Sequence, residues 1–395
     1  MFIPRDAAAT ARRLSAGFPI VWFTGPRQSG KTTLARHLRP ELPYVSLEQP
    51  DEREFAAEDP RGFLARFPDG AILDEIQAAP NLPSWLQGIV DSTGRMGHFV
   101  LTGSQQPVIA QTISQSLAGR VGRVELLPFS ARELNRVGRL PESLDDVLFR
   151  GGYPPIFDRE VAPPDWLGNY VATYVERDVR QLAAVRDLET FTRFLRLCAA
   201  RSGQVVNMTS LGSDAGVSAA TVKAWLSILR ATYIIDFVEP YFGNITTRLT
   251  KQPKLLFLDV GLMAYLVGIR RPSHLAVHPL RGALFETWGL VEVLKTWRNA
   301  GIDQRLTYLR DKQGGEIDLV YDSADGLAGL EFKSGATIAS DWARAFQLWG
   351  QRMSPTLWDQ PSIVYSGEDS MVRGGVSMRA WRDFAESPVP TGADV

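Results

Sequence analysis

Gly25-Pro26-Arg27-Gln28-Ser29-Gly30-Lys31-Thr32 satisfies the pattern G-x-x-x-x-G-K-[ST] at every fixed position. Residue types in this order suit one task, holding a phosphate chain. The glycines let backbone amides approach the phosphate oxygens, and the N-terminus of the following helix adds partial positive charge. Lys31 is expected to bridge the β- and γ-phosphates, and Thr32 to ligate Mg²⁺ through its hydroxyl. Thr33, the next residue, completes the expected ATP-binding set. The apolar stretch Ile20–Phe23 enters the loop and a helical pattern from Thr33 to Leu38 leaves it, which is the context the motif requires.

A bound magnesium ion needs a carboxylate, and Ala71-Ile72-Leu73-Asp74-Glu75 offers one at the end of an apolar run. Asp74 is expected to hold Mg²⁺ through its water shell, and Glu75 to orient and deprotonate the attacking water. Alone, such a run reads as a strand ending in solvated charges; downstream of a complete phosphate loop it reads as metal holder and general base. His98-Phe99-Val100-Leu101-Thr102-Gly103-Ser104 reads as a further core strand. Ser104, or else Thr102, is placed to hydrogen-bond the γ-phosphate or the water, since ligands of such sheets sit at the carboxyl ends of the strands. Arg120, in Leu117-Ala118-Gly119-Arg120, is a candidate for stabilising transition-state charge, within its own subunit or across an interface, with a surface salt bridge as the plain alternative.

A second group of chemical residues lies near the other end of the chain. Gly315-Glu316-Ile317-Asp318-Leu319-Val320 is followed by Leu330-Glu331-Phe332-Lys333, and Glu286 lies in a preceding helical run. On adjacent strands Asp318 and Glu331 would converge, with Lys333 on the face of Glu331 because strand side chains alternate. Two or three carboxylates can bind Mg²⁺, and the metal lowers the pKa of its water. Lys333 would then stabilise phosphorane charge or position the water. A nuclease-like fold kept for binding or assembly would show the same residues.

Three regions would position these groups. Residues 1–129 alternate short apolar runs with helical stretches, the pattern of an α/β sheet. Strands are expected at Ile20–Thr24, Tyr44–Leu47, Ala71–Leu73, Phe99–Thr102 and Arg123–Leu126. Residues 130–275 read as mostly helical, broken by Gly151-Gly152-Tyr153-Pro154-Pro155 and by Pro163-Pro164. Within them Thr209–Leu229 reads as helix, turn, helix, with Ser218 as N-cap of the second helix and Thr221, Lys223 and Arg230 exposed. From 276 to 395 a long amphipathic helix, Leu280–Trp297, precedes strands at Thr307–Leu309, Ile317–Tyr321 and Ala328–Phe332. A helix near Asp341–Trp349 and a strand at Ser362–Tyr365 follow. Pro388, Pro390 and Gly392 mark a frayed tail.

Composition narrows the classes. With 395 residues the chain is expected to hold two or three domains, and a net charge of −1 supplies no global field for nucleic acid or an anionic membrane. One cysteine, Cys198, in an apolar helical run, excludes an internal disulfide and reads as a buried, inert thiol. No leader and no membrane span are expected, which makes the cytoplasm the default address. Only seven lysines occur, so a lysine inside a motif that wants one, Lys31 or Lys333, carries extra weight.

Gly25–Thr32, Ile72–Gln77, Leu101–Ser104, Ser116–Arg120, Leu127–Glu133, Gly151–Pro155, Tyr174–Leu182 and Gly315–Lys333, in this order, cover nearly the whole chain. As a set they resemble prokaryotic AAA-type P-loop ATPases with a C-terminal restriction-endonuclease-like, PD-(D/E)xK domain. The resemblance implies an α/β fold with a P-loop NTPase parallel sheet (1–129) and a helical region (130–275) holding a winged helix at about 200–245. It implies a nuclease-like α/β domain for 276–395. Tyr174–Arg180 resembles the family's charged linker, with Arg177 and Arg180 able to contact nucleotide or a neighbouring domain. ATP and Mg²⁺ are the implied cofactors. DNA, through the winged helix and the nuclease-like domain, a protein partner or a second copy of the chain are the candidate partners. Three roles follow: an ATPase that moves its other domains, an ATP-gated metal-dependent nuclease, or a non-enzymatic ATP-binding regulator that docks a partner.

Overall fold

In the computed structural model of the chain, residues 2–103, 113, 115–175, 187–241, 252–310, 315–323, 326–353 and 358–389 are described. They form two compact units. The first is Met1–Phe129 with Ala231–Tyr233 and Arg298–Ile302; the second is Ser130–Arg230, Ile234–Trp297 and Asp303–Val395. Apart from Ala231–Tyr233 and Arg298–Ile302, the stretches read as helical region and C-terminal α/β region fall within the second unit.

The first unit runs α1 (Ala7–Gly17), β1 (Ile20–Thr24), α2 (Lys31–Leu38), β2 (Tyr44–Ser46), α3 (Pro50–Glu58), α4 (Pro60–Ala65), β3 (Ala71–Asp74), α5 (Leu82–Thr93), β4 (Phe99–Thr102) and β5 (Val121–Glu125). The five strands form one parallel sheet in the order β2-β3-β4-β1-β5. Alternate residues serve opposite faces. Ile20, Trp22, Leu73, Phe99 and Leu101 enter one apolar cluster, while Val21, Phe23, Ile72, Val100 and Val124 enter another. A sheet covered on both faces needs apolar residues at every strand position, which is why these strands read as continuous apolar runs.

The second unit opens with α6 (Ala131–Arg136), α7 (Leu144–Arg150), α8 (Pro154–Asp158), α9 (Pro163–Tyr170), α10 (Leu188–Ala200), α11 (Met208–Ala215) and α12 (Ala219–Ala231). The capping box of α6 is complete: the Glu133 amide donates to the Ser130 hydroxyl, and the Ser130 amide to the Glu133 carboxylate. Asp259 shows what the Gly151–Pro155 turn is for. Its carboxylate accepts from the Gly152 amide and, as N-cap of α13 (Val260–Leu266), from the Leu262 amide, both at 2.8 Å. Between α11 and α12, Gly216 is left-handed, and the Thr221 amide donates to Ser218 Oγ at 3.1 Å. The helix–turn–helix expected at Thr209–Leu229 therefore has its two helices and its cap.

Strands also lie where helix was expected. β6 (Ile235–Pro240) and β7 (Lys254–Phe257) join β8 (Thr307–Arg310) and β9 (Glu316–Ile317) in the order β7-β6-β8-β9. A second sheet has the order β10 (Leu319–Ser323), β11 (Gly326–Lys333), β12 (Trp358–Tyr365), β14 (Val376–Ala380) and β13 (Met371–Arg373). The long helix α14 (Arg281–Ala300) precedes these strands in the chain, α15 (Arg344–Met353) lies between β11 and β12, and α16 (Trp381–Glu386) follows β14. The Tyr174–Arg180 segment, Arg177 and Arg180 included, lies outside the residues whose side chains are described.

Candidate functional site

At the carboxyl end of β1 the chain turns through Gly25, whose φ of +141° only glycine adopts readily. A Cβ there would also overlap the Leu126 carbonyl oxygen. Gly30, φ +93°, leads into α2, which has no side-chain cap on its first amides. Those amides are the donors a phosphate takes. Lys31 is 6% exposed, and its ammonium donates to the carbonyls of Pro26 at 2.7 Å and Gly25 at 3.2 Å. The side chain therefore folds back over the loop. Ser29 Oγ is buried and has no hydrogen-bond partner. Arg5 braces the loop by donating to the carbonyls of Ser29 at 2.8 Å and Leu127 at 2.6 Å.

Asp74, at the end of β3, accepts from the Thr32 hydroxyl at 2.7 Å and the Tyr44 hydroxyl at 2.8 Å, and from Thr102 as well. Burial, then the hydrogen bond and charge of Asp74, push the Tyr44 phenol up to about 12. Glu75 follows in the left-handed region, φ +56°, where a residue with a Cβ is uncommon. Its carboxylate accepts from the Gln77 amide, and its backbone amide faces Thr102 Oγ1 at 3.4 Å. Thr102 thus serves Asp74 and Glu75. Beside this group a cleft of about 580 Å³ is lined by Phe2, Thr32, Thr33, Arg36, His37 and Tyr44.

The carboxyl ends of β1, β3 and β4 thereby bring together Gly25–Thr33, Asp74, Glu75 and Thr102. Ser104 lies outside the described residues. Arg120 is at the other end of the sheet: its carbonyl accepts from the Ile20 amide where β1 begins. With strand residues rising about 3.3 Å each, that is roughly 15 Å from the loop. Its guanidinium pairs with Asp91 at 2.6 and 2.8 Å, so an in-subunit role for Arg120 at this site is corrected to a surface ion pair. The residues fit magnesium and a triphosphate: the loop carries a buried hydroxyl without a partner, an ammonium on carbonyls and a hydroxyl–carboxylate pair.

In the second unit, Glu286, Asp318, Glu331 and Lys333 also meet. The Phe332 amide donates to Asp318 at 3.0 Å, and Lys333 Nζ to Glu331 at 2.8 Å. α14 approaches β11 closely because Gly289 has no Cβ; one there would overlap the Phe332 ring. One helical turn earlier, Glu286 then faces the same cluster. Two members were not anticipated. Glu316 and Lys254 complete the group, Lys254 Nζ lying 3.0 Å from Glu286 and 3.5 Å from Asp318 and touching Glu316. Burial, then the charge of Asp318, push the carboxyls of Glu286 and Glu331 up. The cluster's carboxylates and Lys333 line a pocket of about 910 Å³ together with Trp342 and Arg344.

The chain is 32% identical over 368 residues to the uncharacterized protein Rv2008c of Mycobacterium tuberculosis, covering 92% of this chain and 80% of the relative, and equally to Mb2031c of Mycobacterium bovis. The chain belongs to the family of these proteins. Within this family member, residues 17–135 match the AAA domain, 141–273 a domain of unknown function (DUF8612) and 281–381 another (DUF4143). The N-terminal unit is thus of the AAA, P-loop ATPase type. Among solved structures, the Walker-type ATPase PABY2304 of Pyrococcus abyssi is similar at a TM-score of 0.44 and 17% identity, over 67% of this chain and 96% of that one. No helix among the described residues is long and apolar enough to cross a membrane.

Proposed function

We propose that the protein binds MgATP at Gly25–Thr33 and hydrolyses it, and that this cycle acts on the second unit. The observation that carries the reading is the hydrogen bond from Thr32 to Asp74, 2.7 Å long, beside a lysine lodged in the loop. It joins the two groups that would share a magnesium ion, although they stand 42 positions apart in sequence. Magnesium, when bound, would neutralise charge on the β- and γ-phosphates. The chain's own residues do the rest. Lys31 exchanges two neutral carbonyls for phosphate oxygens, which as charged acceptors bind it more strongly. Loop amides and Ser29 Oγ take the remaining oxygens. Glu75 holds the attacking water and receives its proton, and Gln77 fixes the carboxylate until then.

Phosphate release by the wild-type protein, compared with Glu75→Gln, tests the proposal. Loss of a positioned general base is expected to slow turnover by about 10²–10⁴-fold while nucleotide binding persists. Turnover equal in the two proteins contradicts it, and a tight nucleotide complex without any turnover supports the regulator reading. Contact of the helix–turn–helix with DNA is less favoured. Arg230, one of its few basic residues, pairs with Asp236 at 2.8 Å, which leaves Lys223 as the main positive group of the exposed set.

A further inference from the structure

The carboxylates of the second unit stand in the arrangement from which a divalent metal was expected, yet a cation already stands among them. Lys254 begins β7 and is 1% exposed. Its ammonium contacts Glu286, Glu316 and Asp318 and lies 5.1 Å from the Tyr308 ring centre. Charge–π attraction and three carboxylates thus surround a single ammonium. Lys333 neutralises Glu331 on the remaining side. Among the described residues no three His, Cys, Asp or Glu side chains converge as metal ligands.

We infer that Lys254 is the resident cation of this cluster, standing in for a divalent ion, so that the pocket takes up no metal and does not cut nucleic acid by a metal-dependent route. A dication brought beside a buried ammonium would face direct charge repulsion in a region of low dielectric. Expelling Lys254 would place an ammonium in an apolar strand without its partners. Lys254 gives the cluster an internal counter-ion that no change in metal supply removes. Through Lys254 the cluster ties α14, β7 and β9 together, and Lys333 pairs with Glu331 within β11.

Manganese binding measured by electron paramagnetic resonance on the nucleotide-free full chain tests this. Wild-type protein and Asp318→Asn are expected to give the same manganese uptake. Lys254→Met, which keeps the length but removes the charge, is expected to bind one further Mn²⁺ per chain at least about tenfold more tightly than wild type. Adding Asp318→Asn to Lys254→Met abolishes that gain. Uptake by wild type that Asp318→Asn removes overturns the inference, as does a folded Lys254→Met protein without the gain. Should Lys254→Met not fold, the wild-type and Asp318→Asn comparison decides alone. The result is independent of the ATPase reading, which rests on the other unit.

Discussion

An ammonium held over a loop by two backbone carbonyls is a replaceable arrangement, and Lys31 is in that state beside a buried hydroxyl without a partner. The loop's shape has to be maintained by something else, and Arg5 is placed to do so. Its bonds to the carbonyls of Ser29 and Leu127 are charge-assisted and buried. Hydrogen bonds to charged groups contribute about 1.5–3 kcal/mol each. Arg5→Ala is therefore expected to lower the stability of the N-terminal unit by about 3–6 kcal/mol and to weaken MgATP binding. Denaturant unfolding and a nucleotide titration check both; an unchanged midpoint with unchanged affinity would show that Arg5 does not brace the loop. Sequence gave no sign of this residue, because a bond spanning 122 positions leaves no local pattern.

Elements explain which parts were legible. Strands buried on both faces, such as Ile20–Thr24 and Phe99–Thr102, announce themselves as apolar runs, and the structure has them with the expected bounds. β6 mixes buried with partly buried residues without a clean alternation and pairs in part with the distant β8, so it reads as part of a helical region, and the short β14 is not anticipated. The phosphate loop, Asp74 and Glu75 were legible because their chemistry is written in consecutive residues. Tyr44 was not, since only sheet order sets β2 beside β3. Lys254 is marked in the sequence only as a charge opening the apolar strand Lys254–Phe257. The Asp259 cap belongs to this scale too. Asp259→Ala leaves the buried amides of Gly152 and Leu262 without their acceptor, at about 1–3 kcal/mol each. Urea unfolding is expected to show a loss of about 2–6 kcal/mol, and a change within error would remove the cap from the account.

At the scale of the whole molecule, two units carry two charged sites, one around the phosphate loop and one around Lys254. Acid is expected to act on the first unit through His98. Burial, with the nearby Arg95 charge, lowers this imidazole below its ordinary value of 6.5, so the folded unit holds it neutral. Below that pH the unfolded chain takes up a proton that the folded one does not, so stability falls as pH drops from 6.5 toward the folded pKa. His98→Gln should flatten that slope in melting curves between neutral and mildly acidic pH, and an identical slope would contradict the assignment. The claim on which the rest depends is that the N-terminal unit grips a triphosphate, and calorimetric titration of the full chain with MgATP tests it most directly. The account predicts saturable binding of one nucleotide per chain, abolished by Lys31→Ala with the fold intact. Absence of binding by the wild-type protein, or equal binding by Lys31→Ala, would contradict it.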